Sequence, residues 1–109
     1  MRKLVVARSA RKDFTEIRLY VRKKFGAMHW NRIAAEWDAK LKKLTAHPET
    51  GAGIAELSGT GYAGYRKALH KNVYAVYSFN DTELRIHMFI PGMRDFKTHL
   101  MHRLLSASA

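Results

Sequence analysis

The sequence contains no cysteine, few acidic residues and no long hydrophobic run. Without cysteine the chain cannot form a disulfide, bind a metal through thiolates or use a cysteine nucleophile. No segment approaches the roughly 18 consecutive apolar residues that a membrane-spanning helix needs. The apolar run that follows Arg2 and Lys3 stops after four residues, too short for the hydrophobic region of a signal peptide. We therefore expect a cytoplasmic protein with no membrane partner.

The scarcity of acidic residues leaves a large positive charge. Only 9 Asp and Glu stand against 20 Lys and Arg, so the formal net charge is +11 at pH 7. Such a charge attracts polyanions, which can be nucleic acid, an acidic protein or an anionic membrane surface. A chain of 109 residues fits a single compact domain, and we expect residues 1–109 to form one.

Two segments carry apolar residues at spacings of three and four, the pattern of an amphipathic helix. The first is expected to run from Ser9 as N-cap to Gly26 as the residue that ends the helix. The second is expected to end before Pro48, because the residue ahead of a proline is pushed out of the helical region. The two apolar stripes are Ala10, Phe14, Ile17, Val21 and Phe25, and Trp30, Ile33, Ala34, Trp37, Leu41 and Leu44. The short link between the helices predicts an antiparallel hairpin.

After Gly64 the apolar period changes from 3.6 to 2, the period of β-strands. In the last strand we expect Leu84, Ile86, Met88 and Ile90 inside, alternating with Arg85, His87 and Phe89 outside. A short helix from Phe96 to Leu105 follows. Strands are predicted at Leu4–Ala7, Tyr65–Leu69, Val73–Phe79 and Leu84–Ile90. The order β-α-α-β-β-β with a C-terminal helix predicts an α+β fold, in which an N-terminal strand and a helix hairpin accompany a small antiparallel sheet.

Several motifs together carry a family resemblance. They are the Pro48-x-x-Gly51 turn, the Gly64-Tyr65-Arg66-Lys67 opening of the sheet, the Tyr77 strand and the Arg94-Asp95…His99-Leu100 ending. With the order of elements, they resemble the RelE/ParE superfamily of bacterial toxins, also known as plasmid-stabilisation proteins. The resemblance spans about Leu4 to Leu104. It implies the toxin of a type II toxin–antitoxin pair, neutralised by a small acidic antitoxin, with a homodimer or a heterotetramer with the antitoxin as candidate assemblies.

The superfamily has two functional branches. ParE-like toxins inhibit DNA gyrase and cut nothing, whereas RelE-like toxins are ribosome-dependent messenger-RNA endonucleases. The long second helix, the Pro48 turn and the Asp95…Leu100 spacing are similar to the ParE branch, which we favour. The resemblance then implies that the segment from Arg94 to Leu104 contacts the target. Its candidate target-binding residues are Arg94, Asp95, His99, Leu100 and Arg103.

The turn after the last strand favours the other branch. It reads Pro91-Gly92-Met93-Arg94-Asp95, and its Gly92-Met93-Arg94 is similar to the Gly-x-Arg of the ribonucleases. Metal-free RNA cleavage needs a base, an acid and cations that stabilise the developing charge. In this alternative Arg94, Arg66 and Lys67 supply the cations and His70 or His87 the proton transfers.

The first predicted helix has a basic face opposite its apolar stripe. This face is suited to an acidic antitoxin or to a phosphate backbone. The second use defines a third reading, a nucleic-acid-binding module with no toxin role. The basic face consists of Arg11, Lys12, Arg18, Arg22 and Lys23. His99-x-x-His102 has a spacing that can hold a metal, but no other ligand converges on it, so neither a metal nor a cofactor is predicted.

Overall fold

The computed structural model describes residues 2–92 and 95–108. Two 3₁₀ turns, Pro48–Thr50 and Ala55–Leu57, follow the second helix. The strands and α-helices are β1 (Lys3–Val6), α1 (Arg8–Phe25), α2 (Ala27–Ala46), β2 (Ala52–Gly53), β3 (Arg66–His70), β4 (Val73–Phe79), β5 (Glu83–Pro91) and α3 (Phe96–Ser108). The predicted α+β class is confirmed, with its N-terminal strand, helix hairpin and C-terminal helix.

The strands form one sheet in the order β1-β5-β4-β3-β2. β3 pairs antiparallel with β4, and β4 with β5, as predicted. The short β2, which was not predicted, pairs antiparallel with β3. β1 joins β5 in parallel, from Lys3 opposite Glu83 to Val6 opposite Ile86, so the sheet is mixed. A tight turn can join only antiparallel strands, whereas a long connection can also join parallel ones. Because the helix hairpin separates β1 from the other strands along the chain, β1 can run parallel to β5. The sequence pattern predicts the strand but not this pairing.

A β-bulge at His87 overturns the predicted alternation along β5. Tyr77 of β4 lies opposite Ile86, but Val76 lies opposite Met88, so His87 is an extra residue in the ladder. Beyond the bulge the pattern is reversed, because one inserted residue turns the following side chains to the other face. Phe89, expected outside, is only 3% exposed.

Both faces of the sheet are covered, which is why β5 is buried on both sides. The helix-hairpin face packs Leu84, Ile86 and Phe89 against α1 and α2. The opposite face, here called the α3 face, packs Met88 and Ile90 against α3 and the 3₁₀ turn at Ala55–Leu57. An alternating apolar-polar pattern is typical of a sheet with one solvent-exposed face. Over most of β5 neither face is exposed to solvent, so the alternation does not describe this strand.

Helix α1 begins two residues earlier than predicted. Its N-cap is Ala7, which makes no side-chain capping bond, and Ser9 lies in the first turn. The expected N-cap at Ser9 is therefore wrong, since the parallel ladder runs straight into the helix through the bond from the Ala7 amide to the Ile86 carbonyl. The predicted end is confirmed, because Gly26 takes a φ of +95°, which favours glycine, between α1 and α2.

Candidate partner-binding surfaces

One flank of α1 carries four exposed arginines, which we call the arginine stripe: Arg8, Arg11, Arg18 and Arg22. With 3.6 residues per turn, these side chains project within about 80° of one another. Arg11 donates its Nε to the Val6 carbonyl at 3.2 Å. Within residues 2–92 and 95–108, the other three guanidinium groups have no hydrogen-bond or ion-pair partner. The stripe is therefore available to an anion.

The predicted basic face of α1 divides into two surfaces. Lys12 and Lys23 project about 90° away from the arginine stripe. Leu19, which is 58% exposed, projects between the arginine stripe and these two lysines. Arg8 was missing from the prediction because the helix was expected to begin after Ser9. Placing the helix start at Arg8 would have revealed the stripe by spacing alone.

Arg66, a candidate catalytic cation, holds the turn after α2. Its Nη1 donates to the Gly51 carbonyl at 2.6 Å. The Tyr77 hydroxyl donates to the Pro48 carbonyl at 2.6 Å and accepts the Gly51 amide at 3.0 Å. A Cβ at Gly51 would overlap this hydroxyl, so the turn requires glycine. Burial raises the pKa of Tyr77, which remains a neutral donor here. The Pro48-x-x-Gly51 motif and Tyr77 thus form one structural unit.

His70, the candidate proton carrier, packs on the helix-hairpin face. Its Nε2 lies 3.0 Å from the Glu36 carboxylate of α2, and its ring meets Trp37 edge-on with centroids 5.4 Å apart. Side chains on a strand alternate between faces, and Arg66 and His70 lie four residues apart on β3, so both project from this face. Both side chains are engaged with the chain itself.

Lys67 lies on the opposite face from Arg66 and His70. Its Nζ is 4.7 Å from the ring centroid of Phe96 and 5.4 Å from that of Tyr74, as in a cation–π contact. Arg94 lies outside the described residues. The structure therefore does not bring Arg66, Lys67 and His70 together around one reacting phosphate.

His87, the second histidine named for proton transfer, sits at the bulge. Its Nε2 is 2.7 Å from the Ser78 hydroxyl, and its ring stacks on Tyr65 with centroids 4.3 Å apart. Burial, followed by the nearby Arg85 charge, lowers the pKa of His87. A lowered pKa keeps the ring neutral at pH 7, so it acts here as a packed hydrogen-bonding group.

Side chains of α1 close the edge of β5 beyond the end of β1. The Ser9 hydroxyl donates to the His87 carbonyl at 3.2 Å, and Asp13 accepts the Phe89 amide at 3.1 Å. Asp13 also pairs with Arg103 of α3, whose Nη1 lies 2.8 Å from Oδ1. Arg103 and Asp13 are only 21% and 15% exposed. Arg103, a candidate target-binding residue, thus links α3 to α1.

The other candidate residues of the C-terminal segment have different environments. Asp95 is exposed, and its carboxylate accepts the Thr98 hydroxyl and amide at 2.9 and 3.3 Å, which lowers the pKa of Asp95. His99 is half-buried and has a partner within the chain. Leu100 is fully buried on the α3 face, so it anchors the helix and offers no surface to a partner. The exposed side of α3 carries Thr98, His102 and Leu105.

The turn that leads to Arg94 has a structural need for its glycine. The Gly92 amide donates to the Asn72 carbonyl at 2.6 Å, and a Cβ at Gly92 would overlap Asn72. Lys71 and Asn72 both have positive φ, as in the two-residue turn of a tight hairpin. The close contact between the turn at Gly92 and the turn at Asn72 explains why position 92 is glycine, without a catalytic role.

The outer edge of β3 is open beyond Lys67. β2 pairs only with Arg66 and Lys67, so no described strand covers the edge from Ala68 to His70. His70 and Val73 flank the two-residue turn and pair with each other, which directs the amide and carbonyl of Leu69 outward. Leu69 itself is 51% exposed.

A depression of about 280 Å³ runs along this open edge. Its apolar lining includes Leu44, Leu69 and Tyr74, and Lys40 and Lys67 bring positive charge. Leu69 was not predicted as a binding residue. The sequence shows an apolar residue on a strand that follows a glycine-rich loop. This pattern fits an exposed binding residue, but it fits a residue buried in the core equally well.

Neither a metal-binding cluster nor a membrane-spanning helix is found in the described parts of the chain. In residues 2–92 and 95–108, no three His, Asp or Glu side chains approach closely enough to hold a metal ion. None of the helices found there has the length and apolar character required to span a bilayer.

Comparison with known families identifies the fold's relatives. Residues 4–96 match the family described as the ParE toxin of the type II toxin–antitoxin system, parDE. The chain belongs to the ParE toxin family. The predicted relationship to the RelE/ParE superfamily, on its ParE side, is therefore confirmed. No curated protein sequence matches this ParE-family chain.

Solved structures include similar folds. A structure titled as the chromosomal ParDE TA system from P. aeruginosa is 20% identical, with a TM-score of 0.67, and the match covers 84% of this chain and 96% of that one. A mutant of YafQ from E. coli is 16% identical, with a TM-score of 0.47 and coverage of 85% and 96%. The first likeness supports the architecture described above.

Proposed function

We propose that this ParE-family chain is a toxin that arrests bacterial growth by inhibiting DNA gyrase, and that an acidic antitoxin neutralises it. The observation that carries the proposal is the family match over residues 4–96. The dispersal of the candidate ribonuclease residues supports it further. Arg66 holds a turn, His70 pairs with Glu36, and Lys67 lies on the other face of the sheet.

The antitoxin is proposed to dock on the open edge of β3. An extended acidic segment would add a strand there, using the outward amide and carbonyl of Leu69. Its apolar side chains would enter the depression beside Leu44 and Leu69, and its carboxylates would approach Lys40 and Lys67. The opposite charges would speed the encounter and discriminate against wrong partners.

The gyrase contact is proposed to lie on α3, on the side that faces solvent. Leu105 is 70% exposed there, and Thr98 and His102 lie on the same side of the helix. An exposed leucine among polar side chains is suited to a small apolar pocket on a partner. Asp95 lies just before the first turn of α3. Arg103 and Leu100 lie on the opposite side of the helix and attach it to the rest of the domain.

An assay of gyrase supercoiling, run beside an assay of ribosome-bound messenger RNA, tests the function. The wild-type chain should block supercoiling and leave the messenger RNA intact. Leu105→Asp should weaken the inhibition at least about tenfold, because an unpaired carboxylate would be buried in the contact. Leu19→Asp, which places the same charge on an exposed leucine of α1, should remain near wild type. Cleavage of messenger RNA without inhibition of gyrase would replace the proposal by the ribonuclease alternative.

A further inference from the structure

The arginine stripe on α1 has a regularity that the proposed function does not use. Positions 8, 11, 15, 18 and 22 follow one flank of the helix, and four of the five are arginine. The fifth is Thr15, whose hydroxyl donates to the Arg11 carbonyl at 3.0 Å. The acidic residues of α1, Asp13 and Glu16, project from other sides, with Asp13 facing β5 and Arg103. Nothing on the stripe neutralises its charge.

The dimensions of the stripe fit a row of phosphates. A rise of 1.5 Å per residue places Arg8 and Arg22 about 21 Å apart along the helix. One strand of B-form DNA carries a phosphate every 3.4 Å along its axis, but the strand winds around that axis, so a straight stripe can contact only some of the roughly six phosphates that the axial spacing gives. Guanidinium groups bind phosphate oxygens through two parallel hydrogen bonds, which lysine cannot do.

The composition of the stripe also favours a duplex over two other occupants. An amphipathic acidic helix needs an apolar groove, and the five positions of the stripe hold four arginines and Thr15, with exposed Leu19 as a neighbour, whereas the edge of β3 offers Leu44 and Leu69. A single nucleic-acid strand is bound largely by stacking on several aromatic side chains, and the five positions of the stripe carry none, although exposed Phe25 follows Arg22 by one helical turn. A duplex presents only its backbone to a purely cationic row.

We infer that the arginine stripe binds the phosphodiester backbone of a nucleic-acid duplex without reading its sequence. This binding is separate from inhibition of gyrase and from the antitoxin site on β3. It gives the toxin two cationic surfaces with different partners. Apolar and basic residues mix at the β3 edge, which suits an acidic protein, and arginine alone forms the stripe, which suits phosphate.

Fluorescence anisotropy with naked duplexes of about 20 base pairs, measured over a range of salt concentrations, tests the inference. Arg18→Gln with Arg22→Gln should weaken binding at least about tenfold and reduce the slope of log K against log salt by about 2. Lys12→Gln with Lys23→Gln is the matched control, since it removes the same charge from the same helix. Arg, Lys and Gln have similar helix propensities, so both double variants should fold, as circular dichroism will verify.

The outcomes separate the inference from its alternatives. A loss confined to the arginine variant supports it, and comparison of DNA and RNA duplexes identifies which backbone is preferred. Arg18→Lys with Arg22→Lys should restore most of the salt slope. Equal losses in the arginine and lysine variants would mean diffuse attraction by net charge and would overturn the inference. So would normal duplex binding by an arginine variant that no longer binds the antitoxin. Because gyrase is absent from the assay, failure here leaves the proposed target untouched.

Discussion

The two ends of the sheet treat their exposed backbone in opposite ways. At one end, side chains of α1 bond part of the outward-facing backbone, since Ser9 reaches the His87 carbonyl, Asp13 the Phe89 amide and Arg11 the Val6 carbonyl. At the other end, a strand of two residues covers only the start of β3, and Leu69 is left with an exposed side chain and an open edge.

This difference indicates that one end of the sheet contributes to stability and the other to partner binding. An unpaired strand edge is a template for another chain, and proteins usually close such edges. Here one end is partly closed by side chains of the same molecule, and the other retains an apolar depression with two lysines beside it. An edge left open in this form is a candidate interface, which is why we assign the antitoxin to β3.

Loss of Asp13 should have the largest effect on the closed end. Asp13→Ala leaves the Phe89 amide without an acceptor and Arg103 without its carboxylate, and should lower the free energy of unfolding by about 2–4 kcal/mol. Asp13→Asn keeps an oxygen for the amide and should cost about half as much. Urea denaturation followed by circular dichroism measures both.

Glu16→Ala provides the control for this series, because Glu16 is exposed on the same helix. Its effect should stay within about 0.5 kcal/mol. If Asp13→Ala were no more destabilising than Glu16→Ala, the closed edge would not contribute to stability in the way described.

The open end should respond in affinity more than in stability. Leu69→Pro removes the outward amide, and an edge strand tolerates proline where that amide faces solvent. Affinity for the antitoxin should fall by about ten- to a hundredfold, while the free energy of unfolding changes by less than about 1 kcal/mol. Isothermal titration calorimetry gives the affinity. Leu69→Ala keeps the amide and should lose less affinity, so equal losses in the two variants would argue against strand addition.

Local features of this fold were predictable from the sequence, and pairings between distant segments were not. The stripes of α1 and α2 and the turn at Gly26 follow from spacing and from glycine's conformational freedom. The bulge at His87 depends on how β4 and β5 align. The Asp13–Arg103 pair joins residues that lie 90 positions apart, and no local pattern indicates it.

The candidate site shows the same limit. Arg66 and Lys67 are neighbours on a strand, so the period of 2 already separates their side chains onto opposite faces. That rule was available from the sequence and weakens any catalytic set that contains both. The open edge of β3 required the structure, because it depends on how short β2 is. Arg94 lies outside the described residues, and its role as a target-binding or catalytic residue stays a prediction.

Amide hydrogen exchange, measured with and without the antitoxin, tests the contrast between the two edges most directly. Binding should slow exchange of the Leu69 amide at least about tenfold, because a new strand would take up its hydrogen bond. The Phe89 amide, already bound by Asp13, should not change. Protection that appears along β1 and β5 while Leu69 exchanges as in the free toxin would contradict the account.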